Sequence, residues 1–150
     1  MPAIQTSYAA TMPPAQAGLV ANMETQNSIT RLIEDAAGVG FGIALFQGAA
    51  DLGVTKTPGT LFKGVSIANK TLVMAAAGGT VDVYPQRYNV ALLDKGVIWV
   101  NVAAAVAAGA PAYVTSAGVW TSTATGNTAI PNATFDSSTT GAGLAKLRLR

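Results

Sequence analysis

From Gln47 onward the chain is a succession of short β-rich pieces, each cut off by Gly, Pro, Asn or Asp, and this punctuation constrains the fold more than any other feature. Runs rich in Val, Ile, Thr and aromatic residues suit a pleated, half-buried surface, and breaks at such short spacing belong to sandwiches and barrels. The pattern predicts strands over Leu61–Ile67, Thr80–Tyr84, Asn89–Leu93, Val97–Val102, Ala112–Ser116, Val119–Ser122, Asn132–Asp136 and Gly143–Leu149. Asp94-Lys95-Gly96 reads as a turn into VIWVNV, Gly109-Ala110-Pro111 as a turn into AYVTS, and Ala117-Gly118 as the hairpin between AYVTS and VWTS. Ala103–Ala108 predicts no more than one helical turn, because Gly109 and Pro111 stop it. At the carboxyl end Lys146, Arg148 and Arg150 alternate with Leu147 and Leu149, so a strand there puts the cations on a solvated or rim face and the leucines on the other. A phosphate-binding stripe is the competing reading of those cations.

Upstream the pattern is looser. Ile29, Leu32, Ile33 and Ala36 fit one face of a short helix capped by Asn27 or Ser28, yet the same letters serve a strand. The strand is preferred, because the segment runs into GVGFGIALFQG, where Phe41, Ile43 and Leu45 alternate with Gly42, Ala44 and Phe46. Residues 1–27 are rich in Pro, Ala, Thr, Gln and Asn without a sustained apolar period, which predicts an extended arm ahead of a single β-rich domain spanning 28–150.

The size, 150 residues, allows one core. Only 11% of residues are charged, against about 25% in an ordinary domain, so the exterior is built from Thr, Ser, Ala and Gly and suits burial against neighbours. With no cysteine there is no disulfide, thiolate nucleophile or sulfur-ligated metal, and with no histidine there is no Ser-His-Asp triad or imidazole ligand. A net charge of +2 with scattered basic residues gives no nucleic-acid footprint. Residues 1–23 carry no Lys or Arg and are broken by Pro13 and Pro14, which argues against a secretory signal. The most apolar window, Val97–Val114, contains Asn101, Gly109 and Pro111 and reads as two buried strands joined by a turn, not as a membrane span.

Motif chemistry is sparse. Gly59-Thr60-Leu61-Phe62-Lys63-Gly64 places its Lys before the second Gly and so is no phosphate loop. Gly38-Val39-Gly40-Phe41-Gly42 precedes a strand where a dinucleotide fingerprint requires a helix, and reads as a bulge or tight strand entry. Of the carboxylates Glu24, Glu34, Asp35, Asp51, Asp82, Asp94 and Asp136, the residues Asp51, Asp94 and Asp136 are placed for turns and Glu34 and Asp35 would point apart on a strand; a glycosidase-like pair among the seven is the weaker rival. No Asp-rich calcium loop is present, and neither a metal nor a cofactor is expected. Trp99 and Trp120 fall in alternating strands as core or subunit contacts, while Trp120 with Tyr113 forms an alternative sugar-stacking face. Asn69-Lys70-Thr71 and Asn132-Ala133-Thr134 fit glycosylation sequons but have no secretory context.

In order and spacing, GFGIALFQG, KGV, YNVALLDKGVIWVNV, VAAGAPAYVTSAG, IPNATFDSS and GAGLAKLRLR resemble the capsid cement or decoration proteins of tailed bacteriophages, from about Ala17 to the end. The resemblance implies an all-β, jellyroll-like sandwich or barrel of short antiparallel strands with an extended N-terminal arm. It implies a non-enzymatic protein without cofactor, on the outer surface of an icosahedral virion assembled in the host cytoplasm. Its partners would be the major capsid protein and further copies of itself, a dimer ahead of a trimer, with no nucleic acid and no membrane. Tyr8, Met12, Pro13 and Pro14 are the expected arm contacts, because Pro preorganises an extended segment for docking, and Trp120 is the expected contact on the domain. The alternative function is a carbohydrate- or host-surface-binding module displayed on a virion.

Overall fold

The computed structural model describes residues 15–69 and 82–150. Among them the chain forms eleven strands and no helix. These are β1 (Asn27–Ile33), β2 (Val39–Gly40), β3 (Ala44–Gln47), β4 (Gly53–Thr55), β5 (Phe62–Ser66), β6 (Val83–Tyr84), β7 (Asn89–Val102), β8 (Pro111–Val114), β9 (Trp120–Thr121), β10 (Thr128–Phe135) and β11 (Gly143–Leu149).

Nine strands make one sheet in the order β1-β4-β3-β5-β7-β11-β10-β8-β9, and β2 pairs with β6 separately. Two further pairings, β1 with β7 and β7 with β9, close that sheet on itself twice. The first ring is β1-β4-β3-β5-β7 and the second is β7-β11-β10-β8-β9, so both contain β7. Closure satisfies strand edges that would otherwise face water unpaired. The barrel-like, all-β expectation is met, but the ladder is one twice-closed sheet in place of the two facing sheets of a jellyroll-like sandwich. Nor are all pairings antiparallel: β1–β4 and β7–β9 run parallel.

Asp94-Lys95-Gly96, expected as a turn, lies inside β7, whose 14 residues run unbroken through both rings. Against β1 the register slips by one residue, from Asn27↔Lys95 to Ser28↔Leu93, which makes Asp94 the extra residue of a bulge. Gly96 has φ 129°, a conformation that favours glycine. The slip changes which residues face inward. Val90 and Leu92 enter one core with Ile33, Leu45, Val54 and Tyr84. Leu93, Ile98, Val100 and Val102 enter the other with Phe46, Trp120, Phe135 and Leu147. β3 is likewise shared, Leu45 facing one core and Ala44 and Phe46 the other.

The preferred strand at residue 28 onward is β1, without the helical alternative. The hairpin at Ala117-Gly118 joins β8 to β9, with Tyr113↔Thr121 and Val114↔Trp120 in register and Gly118 at φ 79°. Within GVGFGIALFQG the strand is interrupted: Gly42 at φ 71° turns the chain between β2 and β3, and Ser66 ties the turn down by donating to the Gly40 carbonyl at 2.7 Å. β11 alternates as its sequence predicts, with Ala145, Leu147 and Leu149 buried.

Trp120 is wholly buried, 0% exposed, so the core reading of this residue holds and the capsid-, subunit- or glycan-contact reading is corrected. The hairpin register explains this, because Trp120 lies opposite Val114 on the inward face. Its indole N–H donates to the Gly42 carbonyl at 2.9 Å, and its ring meets Phe62 edge-on at 6.2 Å, with Phe62 meeting Phe46 at 5.8 Å. The side chain thus ties the second ring to the turn that begins β3 in the first. Trp120→Phe is expected to cost about 1–3 kcal/mol by stranding a buried carbonyl, and Trp120→Ala about 3–5 kcal/mol by adding a cavity. Equilibrium urea unfolding measures both; wild-type stability in Trp120→Ala would contradict this role.

Candidate capsid-contact surface

Tyr8, Met12, Pro13 and Pro14 lie outside the described residues, as do Thr80 and Val81 of one predicted strand and Lys70 and Thr71 of one sequon. The root of the arm is described. Residues 18–21, assigned to the arm by sequence, run along β7: Gly18 N–H donates to Trp99 O at 2.7 Å, Trp99 N–H to Leu19 O at 2.9 Å and Ala21 N–H to Val97 O at 2.8 Å. Val20 forms a bridge with Ile98. Gly18 sits at φ 84°, where a Cβ would lie 2.8 Å from both the Ala68 amide nitrogen and the Phe41 Cβ. The backbone therefore approaches as only glycine permits.

A charged clasp lies just beyond this root. The guanidinium of Arg148 on β11 grips both oxygens of Glu24, with Nη2···Oε1 at 3.0 Å, while its Nε donates to Asp136 Oδ1 at 3.1 Å. Such a fork is directional as well as attractive. It also decides the reading of the terminal cations: Arg148 is claimed by two carboxylates and Lys146 stands 5.3 Å from the Trp99 ring, so the row is no continuous phosphate-binding stripe.

Three other carboxylates, Glu34, Asp35 and Asp94, hold backbone or neighbouring strands in place. Glu34 accepts the Ala49 and Ala50 N–H groups at 2.8 Å each, capping the loop between β3 and β4. Asp35 turns the other way, accepting Thr55 Oγ1–H at 3.0 Å and Lys56 N–H at 2.8 Å. Asp94 accepts both its bonds from the Asn27 side-chain amide, at 2.8 and 2.9 Å, across the bulge. The Arg148 guanidinium holds Glu24 below the ordinary glutamate range, and the two loop N–H groups do the same for Glu34. A general acid requires the opposite shift, which leaves the glycosidase-like rival without support from these two groups. Among the described residues no three carboxylates gather as a metal site.

Among the described residues the exposed large apolar side chains are Met23, Leu32, Leu52, Leu61 and Tyr88. Leu32, Leu52 and Tyr88 lie close together, since Leu32 N–H donates to Leu52 O and Ile33 N–H to Tyr88 O. Sequence reasoning singled out none of the five: Met23 fell within the arm, and the apolar letters of the others read equally well as core. The glycan face loses Trp120 to the interior and retains only a half-buried Tyr113.

A family model described as "Structural cement protein (E217 gp24/Pam3 gp6)" matches residues 4–150. The chain belongs to this family of phage capsid cement proteins. The cement protein is therefore a structural component of a bacteriophage capsid, consistent with the resemblance of its ordered motifs. Its fold is similar to a chain from the structure titled "The capsid of Myoviridae Phage XM1", with a TM-score of 0.74 and 19% identity, covering 99% of this chain and 98% of that one. No curated protein matches the chain.

Glu24 and Glu34 ionise more readily in the folded than in the unfolded chain. The stability they contribute is complete above the unfolded glutamate range near 4.5 and is withdrawn as pH falls through their lower folded values. Unfolding midpoints recorded from pH 6 down to about pH 3 should fall on the acid side, and Glu34→Gln should flatten part of that fall. An unchanged acid-side slope in Glu34→Gln would contradict the capping role.

Proposed function

We propose that this cement protein binds the outer surface of the expanded capsid and bridges neighbouring capsomers, contacting the major capsid protein and assembling as a homo-oligomer. The observation that carries this reading is the seating of the arm root on β7. A tether transmits load only as far as its anchor holds, and here residues 18–21 are hydrogen-bonded to the strand that both rings share. A pull on residues 1–14 is therefore resisted by two barrels together. Tyr8, Met12, Pro13 and Pro14 supply apolar and preorganised contacts within that segment.

The energetics follow from repetition. Each Å² of apolar surface removed from water contributes roughly 25 cal/mol, and one subunit spanning two capsomers converts separate affinities into linked ones. The sparse charge of the exterior, 11% of residues, lowers the desolvation cost of such broad contact. No catalytic group is required, and the carboxylates described above are engaged in holding loops and strands.

Co-sedimentation of the purified protein with expanded heads lacking it, and with unexpanded proheads, tests the reading. Saturable binding to expanded heads alone is expected, with a copy number that nominates the symmetry axis. Deleting residues 1–14 should lower occupancy at a fixed concentration, and Gly18→Ala should lower it while also destabilising the isolated protein by about 1–3 kcal/mol. Unchanged occupancy on deletion of the arm overturns its role, and absence of binding to either shell overturns the proposal.

A further inference from the structure

Asp82 is engaged in none of the loops or clasps described above. It directly precedes β6 and is held at φ 59°, a backbone conformation uncommon for residues other than glycine. Such strain gathers where a side chain has to be aimed. Its Oδ2 accepts the Gln16 side-chain amide at 3.3 Å, while its Oδ1 is buried without a hydrogen-bond partner. Among the described residues both ion pairs belong to Arg148, so no cation pairs with Asp82. Lys146, two positions along β11 from Leu144, stands over the Trp99 ring instead. A buried carboxylate oxygen without a donor is costly, and a donor brought by a ligand relieves that cost.

Asp82 lines an open concavity of about 450 Å³ between the arm root and the outer face of β7 and β11. Gln16 enters it from the arm root, Phe41 and Ile43 from either side of the Gly42 turn, and Asn101 and Leu144 from a cross-strand pair. One carboxylate beside two neutral amides is too little charge for a divalent cation, which gathers six or more oxygens. A guanidinium fork is held best by both oxygens of a carboxylate, and Gln16 already occupies one. An ammonium group is a compact charge with three donors. Three acceptor oxygens are available to it: Asp82 Oδ1, Gln16 Oε1 and Asn101 Oδ1, none of which accepts a hydrogen bond among the described residues. The broad χ2 torsion of an aspartate lets Oδ1 turn toward the concavity at little cost. Phe41, Ile43 and Leu144 supply the apolar wall along which an aliphatic stem lies.

We propose that this concavity binds a primary ammonium group carried on an aliphatic stem, with Asp82, Gln16 and Asn101 as its acceptors. A lysine of a neighbouring protein and a free alkyl amine share this chemistry. Titration of the isolated protein with n-butylammonium, followed by 1H–15N NMR, should give saturable shifts at the Gln16 and Asn101 side-chain amides, and butyrate should give none. Asp82→Asn keeps the shape and tolerates the positive φ; it should weaken binding by roughly 10-fold or more, with thermal unfolding showing the variant folded. Asn101→Ala should weaken it by a smaller factor. Shifts that never saturate, or equal affinity in Asp82→Asn, overturn the proposal. Lys70 is the only cation in residues 1–14 and 70–81, so saturation seen only in Lys70→Met assigns the site to the chain's own lysine and overturns an external ligand. On decorated heads a water-soluble carbodiimide, taking up the water lost, condenses Asp82 with a lysine amine in contact with it. An Asp82–lysine amide to another chain identifies a protein lysine as the ligand; butylammonium binding without such an amide identifies a free amine.

Discussion

β7 is the constraint on which the structure depends. A single strand of 14 residues serves both closed rings, and the bulge at Asp94 lets it do so. Strand side chains alternate with period two, so an unbroken strand would keep presenting the same parity to the same side. One extra residue shifts the parity: Val90 and Leu92 point into one core, while Ile98, Val100 and Val102 point into the other. Without that slip the second ring would receive Trp99 and Asn101 on its inner face. The Asn27 amide across Asp94 and the backbone freedom of Gly96 hold the irregular step in place.

The same strand organises the surface. Its edge accepts β1, then residues 18–21, then β9. The segment leading to the arm thus fills a gap between the two ring closures. Arg148 reaches from the other neighbouring strand, β11, to hold Glu24 beyond that segment. The arm root and the clasp therefore both end on strands of the closed ladder. The low charge count makes the few ion pairs more conspicuous, but Arg148 and its partners are partly exposed, so their value is chiefly geometric.

Legibility varied with how local the determinants were. β11 was readable to the residue, because strict alternation of Leu with Lys or Arg leaves one burial pattern. The β8–β9 hairpin was readable from Ala117-Gly118, where Gly118 adopts the positive φ that a tight connection requires. Asp94-Lys95-Gly96 was misread because turns and bulges recruit the same residues; only the partners on either side decide whether the chain reverses or continues. Trp120 was left between core and contact for a related reason: β9 has just two residues, too few for alternation to show which face is inward. The exposed patch around Leu32, Leu52 and Tyr88 gathers residues distant in sequence, and no window contains it.

The sequence by itself determined the class: many short strands, no thiol or imidazole chemistry, and few charges. Those properties follow from residue type and local spacing, which act within a few residues of chain. The ordered strings along the chain also pointed to the cement family. Tertiary structure alone decided that the sheet closes twice through β7, that Trp120 faces inward and Met23 outward, and that Glu24 meets Arg148 across 124 positions. The physical reason is register. Which face a strand presents, and which distant residue stands beside it, depends on pairing with strands far away in sequence, and a slip of one residue reverses the outcome.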